Sequence, residues 1–225
     1  NIHIPHIVSN AEWWTGISLM NTTSGATMLP VSGNNLQARE FTLGANAHGA
    51  FDIAGLFDGQ PQPEIQAGWI SGADGIVGLE LFGKNGDGPR LDGVLITDRI
   101  FATLYFPHVA DDGWRTEIAI YNPLSKANTI TITPYSGEGT TLAPVTRSLA
   151  AQEKFIGTIS DLGLPAGTGW FRIDSVQGIT GLEIFGTADG KGIAAYAGGD
   201  EAGAKEGLFP KIEKSGWTGI AFVNT

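Results

Sequence analysis

The side chains in this sequence that could do chemistry are carboxylates, tryptophans and histidines, and they recur in matching places. Glu80 and Glu183 sit in the equivalent segments Gly78-Leu79-Glu80-Leu81-Phe82-Gly83 and Gly181-Leu182-Glu183-Ile184-Phe185-Gly186. With Leu79 and Leu81 turned to a core, strand alternation turns Glu80 outward beside Phe82. A repeated acid on a sheet face could join a ligand-binding strip, although pairing with a cross-strand Lys, Arg or Thr is its commoner fate. The two acids fall in separate copies, so they are not expected to form a glycosidase pair, whose carboxyls stand ~5–9.5 Å apart.

The tryptophans follow polar and acidic residues. Asn10 and Glu12 precede Trp13 and Trp14, Asp111 and Asp112 precede Trp114, and Glu213 and Ser215 precede Trp217. An indole face stacked on sugar C–H groups, with carboxylates accepting hydroxyl protons, is a carbohydrate-binding arrangement. A buried Trp anchoring its strand explains the same recurrence more simply. Trp13 and Trp14 are adjacent, so alternation leaves one of them exposed.

The acidic, glycine-rich loops around Asp87 and Asp92 and around Asp189 could supply oxygen ligands to calcium. Neither has EF-hand spacing, and Asp-Gly is also common hairpin-turn chemistry. His3-x-x-His6 on an extended strand points its imidazoles to opposite faces, and zinc wants three or four protein ligands. His6 and His108 are equivalent, with Lys211 in their place further on, which favours a structural role. The chain has no Gly-x-Ser-x-Gly elbow, no His-Glu-x-x-His, no P-loop and no dinucleotide fingerprint. Asn21-Thr22-Thr23 fits the glycosylation sequon.

The element that carries these residues is a repeat. Pro5, Pro107 and Pro210 fall 102 and 103 residues apart, in Ile4-Pro5-His6-Ile7, Phe106-Pro107-His108-Val109 and Phe209-Pro210-Lys211-Ile212. Each is followed by a Trp-bearing segment ending in Asn, at Asn21, Asn122 and Asn224. Gly68-Trp69-Ile70 returns as Gly169-Trp170-Phe171. A period of roughly 100 residues is the size of a small sandwich domain, not of a solenoid unit. Apolar residues alternate with period two, and Gly-containing turns interrupt them every eight to twelve positions or so. Short helical turns are predicted around residues 53–57 and 159–162.

Composition agrees and excludes several functions. Of 225 residues 33 are glycine, 42% are hydrophobic and only 16% are charged, which fits a turn-rich folded β-protein and not a disordered chain. The net charge of −10 is spread over both copies with no basic cluster, against nucleic-acid binding and attraction to anionic membranes. No apolar run approaches the ~20 residues of a membrane helix. The absence of cysteine removes disulfides and thiolate chemistry. The chain begins at Asn1, as expected of a processed product or a piece of a longer protein.

The pattern Phe-Pro-His, a loop, then Gly-Trp-x-Thr-x-Ile-x-x-x-Asn-Pro resembles repeats of large secreted bacterial surface proteins. The second copy carries it best, at Phe106-Pro107-His108 and residues 113–123. The first has Ile4 and Thr22 in place of the Phe and the final Pro, and the third has Lys211 in place of the His. The resemblance implies a secreted or cell-surface β-module and brings no catalytic residue with it.

The expected fold is therefore all-β, with two tandem antiparallel β-sandwich modules, residues 1–103 and 104–207, and the first strand pair of a third, residues 208–225. The glycine-rich stretch 198–207 is the expected flexible connection. Half a sandwich cannot bury Ile220, Phe222 and Val223 alone, so the last segment is either cut from a longer array or pairs with another copy by strand donation. The function expected is a non-enzymatic structural or adhesive module of a cell-surface protein or filament, whose partners are other copies of the repeat. The alternative is a carbohydrate-binding module that takes glycans, with calcium as an assisting ion.

Overall fold

The computed structural model describes residues 1–86, 90–110, 113–200, 203–204, 206, 214–215 and 218–224, with the backbone alone at 36–37. Antiparallel strands account for nearly all of its regular structure. In the first copy they are β1 (Ile2–Ile4), β2 (Trp13–Asn21), β3 (Thr27–Gly33), β4 (Leu36–Leu43), β5 (His48–Asp52), β6 (Gly68–Ile70), β7 (Ile76–Lys84) and β8 (Arg90–Leu95). The second copy has β9 (Phe101–Phe106), β10 (Trp114–Tyr121), β11 (Asn128–Tyr135), β12 (Val145–Leu149), β13 (Lys154–Thr158), β14 (Trp170–Thr187), β15 (Ile193–Ala197) and β16 (Gly199–Asp200). Strand β9 pairs with β14 from Phe101 onward, so residues 101–103 go with the second set of strands.

Each copy closes its own layered core. In the first, a sheet ordered β1-β6-β3-β4 lies against one ordered β5-β2-β7-β8. Ile17 and Leu19 from β2 share a core with Leu29 and Val31 from β3 and Ile70 from β6. In the second, Ile118, Ile120, Ile130, Ile132, Phe171 and Ile173 form the corresponding cluster. There β14 serves both layers. Its first half pairs with β9 and β11, its second with β10 and β15.

The crossing from one layer to the other is fixed by side chains. Asn128 donates to Ser175 Oγ and to the Gly178 carbonyl, both at 2.9 Å. Gly178 has φ of 95°, a left-handed conformation that glycine adopts without a Cβ penalty. In the first copy the same place is a break between β6 and β7.

The Asn that ends each repeat strand is a buried tie. Asn21 donates to the carbonyls of Gly25 (2.7 Å) and Gly44 (3.0 Å). Asn122 donates to those of Lys126 (2.8 Å) and Ala150 (2.7 Å). Each amide oxygen accepts a backbone N–H two residues on, from Thr23 and Leu124. One buried side chain thus ties together the backbone of two loops.

Both short turns form. Gly55–Phe57 is a 3₁₀ turn, and residues 159–162 turn through bonds from Leu162 N to Thr158 O and from Leu164 N to Ile159 O. Two other expectations are corrected. The stretch 198–207 is not wholly a free connection, because Gly199–Asp200 adds β16 to the edge of β9 and Arg99 meets Asp200 at 3.1 Å. The unpaired edge of β9 recruits the nearest backbone. The described residues 218–224 form no strand. The rest of the expected strand pair, residues 208–213, 216–217 and 225, lies outside the described residues.

Candidate functional site

Between the two sandwiches lies a third apolar cluster. It joins Phe82 and Val94 of the first copy to Ala119, Leu182 and Ile184 of the second, with Val8, Ile193 and Ala195 packed against it. Strand register explains how. Ile17 lies opposite Glu80 and Thr15 opposite Phe82, and residues directly opposite share a sheet face. Glu80 and Phe82 therefore point the same way as the core residue Ile17. The β7-β8 end of this inner face is covered by the outer face of β10-β14-β15 from the second copy.

This corrects the expectation for Glu80. It is fully buried and faces inward with Phe82, while Leu79 and Leu81 face out. Alternation supplies the period of a strand but not its phase, and here both faces carry apolar residues.

Around Glu80 the junction gathers three ionisable groups. Neither Glu80 oxygen makes a hydrogen bond of normal geometry. Burial pushes the carboxyl up to about 8, against the opposing pull of the Lys154 ammonium and the His6 backbone N–H. Lys154, from β13 of the second copy, donates to the Ile7 carbonyl at 3.1 Å and reaches His6 Nδ1 at 3.4 Å. Burial lowers the ammonium to about 8, and Glu80 opposes that shift. Burial, followed by the Lys154 charge, holds the His6 imidazole well below its usual range. A neutral His6 is an acceptor for Lys154, and its ring packs edge-on against Phe82 with centroids 5.4 Å apart.

The second copy repeats the constellation, with no covering sheet among the described residues. His108 lies 5.7 Å from the Phe185 ring, as His6 lies by Phe82. Glu183 is buried and faces inward opposite Ile118. The Tyr196 hydroxyl donates to Glu183 Oε2, and Oε1 is unpartnered. Burial raises the Glu183 carboxyl well above the usual range, and the Tyr196 bond opposes it. Tyr196 occupies the place that Val94 holds in the first copy, since they pair with Glu183 and Glu80 respectively. The groove beside it is lined by His108, Trp114, Phe185, Ala194 and Tyr196, with residues 219–221 along one side.

The remaining candidates are placed as follows. Trp13 and Trp14 are both half-buried, so neither is the freely exposed ring that alternation predicted. Trp14 lies flat along the outer face of its sheet, its indole filling the space a Cβ would take at Gly16 and Gly83. Trp13 lines the junction with Phe82 and Ile184, and the Lys84 ammonium lies 5.9 Å from its ring. Asn10 and Glu12 do not present acids to that ring. Asn10 Oδ1 accepts the N–H groups of Glu12 and Trp13, and Glu12 pairs with Lys84 at 3.6 Å.

Asp92 accepts the Gly93 N–H at 2.8 Å and, across the junction, the Ala195 N–H at 2.5 Å. It acts as a staple between the copies. Burial raises its carboxyl. Asp189 closes its own turn, accepting from Thr187 Oγ1 (2.7 Å) and Lys191 N (3.0 Å). Those bonds hold it down at about 2. Among the described residues no three His, Asp or Glu lie close enough to hold a metal ion. Asp87, Asp111, Asp112, Glu213 and Trp217 lie outside the described residues.

Sequence reasoning missed Lys154 and Tyr196. Their signal was differential: each stands where the other copy has a residue of different chemistry. Lys154 corresponds to His48 through their pairing with Tyr121 and Met20. The arrangement as a whole holds a buried carboxyl, an ammonium and an imidazole together at the junction between the copies. No family model, curated protein or solved structure matches this chain.

Proposed function

We propose that this chain is a non-enzymatic structural segment of a secreted or cell-surface protein, in which successive sandwich modules stack face on face into a stiff array. One observation carries the reading. The second copy buries the outer face of its β10-β14-β15 sheet on the first, with Leu182 fully buried and Ile184 6% exposed. An array meant to flex would keep such a face polar and wet. The Asp92–Ala195 staple and Lys154, seated at Ile7 and His6, add polar bonds that fix the register of one copy on the next. The surplus of negative charge keeps such an array soluble. The resemblance of the Phe-Pro-His and Gly-Trp segments to repeats of large secreted bacterial proteins supports the location.

Small-angle X-ray scattering tests it. The wild-type chain should fit one rigid elongated particle, and Ile184→Asp should broaden the distribution of sizes while leaving the strand signal in circular dichroism intact. A flexible wild type would overturn the reading. So would specific binding on a glycan array that Trp14→Ala abolishes.

A further inference from the structure

The junction has two complementary faces, and each copy carries both. The second copy's outer face is Tyr121, Lys154, Thr180, Leu182 and Ile184, covered by the first copy. The same strand positions in the first copy are Met20, His48, Val77, Leu79 and Leu81. There the cover is missing: Val77 is 55% exposed where Thr180 is 4%. Met20 is 46% exposed where Tyr121 is fully buried. Leu91 and Leu95 on β8 extend this apolar face at 56% and 77% exposure. A soluble monomer rarely leaves so many large apolar side chains together on one sheet.

The seat such a face fits is also on the page. The first copy's seat is built from His6, Phe82, Glu80 and Trp13, and the second copy presents His108, Phe185, Glu183 and Trp114 in the same places. Its open groove already has Ala221 on its rim. Counted back from Asn224 and Asn122, Ala221 is the counterpart of Ala119, which the junction buries. Ile220 and Phe222 stay 45% and 86% exposed, so the described residues 219–221 border the groove without burying this segment's apolar side chains.

We infer that the outer face of β5-β2-β7-β8 in the first module docks on the second module's His108–Phe185–Tyr196 groove in another copy of this chain, head to tail. The inference rests on the stacking reading and extends it from within one chain to between chains. The occupant is a second copy because the chain's own junction shows this pair of faces joined. The contact is heterologous, with different patches on the two partners, so it propagates into a filament and does not close into a dimer. Docking brings His48 over Glu183 as Lys154 is brought to Glu80, and displaces residues 218–224 from the rim. Tyr196 already gives Glu183 Oε2 a donor within its own module, so the seat does not depend on a lysine from its partner. Each chain carries a net charge of −10, so added salt screens repulsion and strengthens the assembly.

Sedimentation velocity of the full chain over a wide concentration range, at low and high salt, tests this. The wild type should pass from monomer to dimer to longer species, further so at high salt. Val77→Asp spoils the docking face, and Ala194→Arg blocks the groove. Both positions are solvent-accessible, so neither variant needs a core to repack. Each variant alone should stay monomeric, and an equal mixture should give a one-to-one dimer and nothing longer, because only one competent face remains on each partner. A wild type that is monomeric throughout, variants that still assemble, or a mixture that fails to dimerise overturns the inference. A monomer that scattering shows to be stiff would then leave the stacking reading standing, whereas a flexible one would remove both.

Discussion

Replacing Glu80 with Gln removes one titrating group from the junction and keeps its shape. The carboxyl moves from an ordinary 4.5 to about 8 through burial. A carboxyl raised in the folded state holds its proton there while the unfolded chain releases it. Folding stability therefore falls as pH rises from the unfolded value toward the folded one. At about 1.4 kcal/mol per pH unit the full shift corresponds to about 5 kcal/mol, of which about 3 kcal/mol develops between pH ~5 and pH ~8. Two neighbours titrate in the opposite sense, His6 in an overlapping window and Lys154 above it. His6 is held neutral in the fold, so its contribution is lost as pH falls below its ordinary 6.5. Lys154, lowered to about 8 from 10.5, regains stability as pH rises above 8. Glu183 falls with rising pH as Glu80 does, but it is common to both proteins. The difference between wild type and Glu80→Gln therefore reports Glu80 together with its coupling to Lys154. Urea unfolding of both proteins across this range should show near-equal stability at the acidic end and a Gln variant several kcal/mol more stable at the alkaline end. Parallel pH profiles would refute a proton held on a buried Glu80.

Three further outcomes follow from the same geometry. Lys154→Met should leave thermal stability near pH 6 within about 1 kcal/mol of wild type or raise it, because Glu80 is uncharged there and no buried charge loses its partner; Lys154→Glu should cost more than about 3 kcal/mol in the same melt. Asn122→Ala removes three part-buried hydrogen bonds to the loop backbone of Lys126, Ala150 and Leu124, so urea unfolding should show a loss of about 2–4 kcal/mol, and Asn21→Ala should do the same in the first copy. Gly181→Ala places a Cβ 2.7 Å from the Ala119 carbonyl oxygen, so it should lower the melting temperature and speed amide exchange along β10 and β14, whereas Ala at exposed Gly137, with nothing within 4 Å, should not.

The two full copies were legible because they rest on recurrence, which needs no knowledge of which face is wet. The Pro5, Pro107 and Pro210 spacing and the Asn21 and Asn122 positions marked the copies and their strands, and the all-β fold followed from period-two patterning with frequent turns. The tie that each Asn makes was not legible, since its partners Gly44 and Ala150 lie far along the chain. Glu80 was misplaced for a definable reason. In a lone sandwich one face of each strand meets water, so an acid between two leucines is assigned to that side. In β7 neither face is a simple wet face: Phe82 meets the next copy, and Leu79 and Leu81 form an apolar surface of their own.

Where two copies of one sequence differ at a contact, the difference carries information that either copy alone does not. Val94 leaves Glu80 without a hydroxyl donor, and the lysine that reaches toward it comes from the following copy. Tyr196 gives Glu183 that donor within its own module, and the seat around it stays open. The buried acid of the first module thus feels a cation from the following copy, while that of the second has a hydroxyl donor in its own module. The matched positions His48 and Lys154 differ in the same sense: the exposed face carries a side chain hydrogen-bonded to Ser18, and the docked face carries the longer cation that reaches across. Stacking order is thus written into single substitutions at equivalent places.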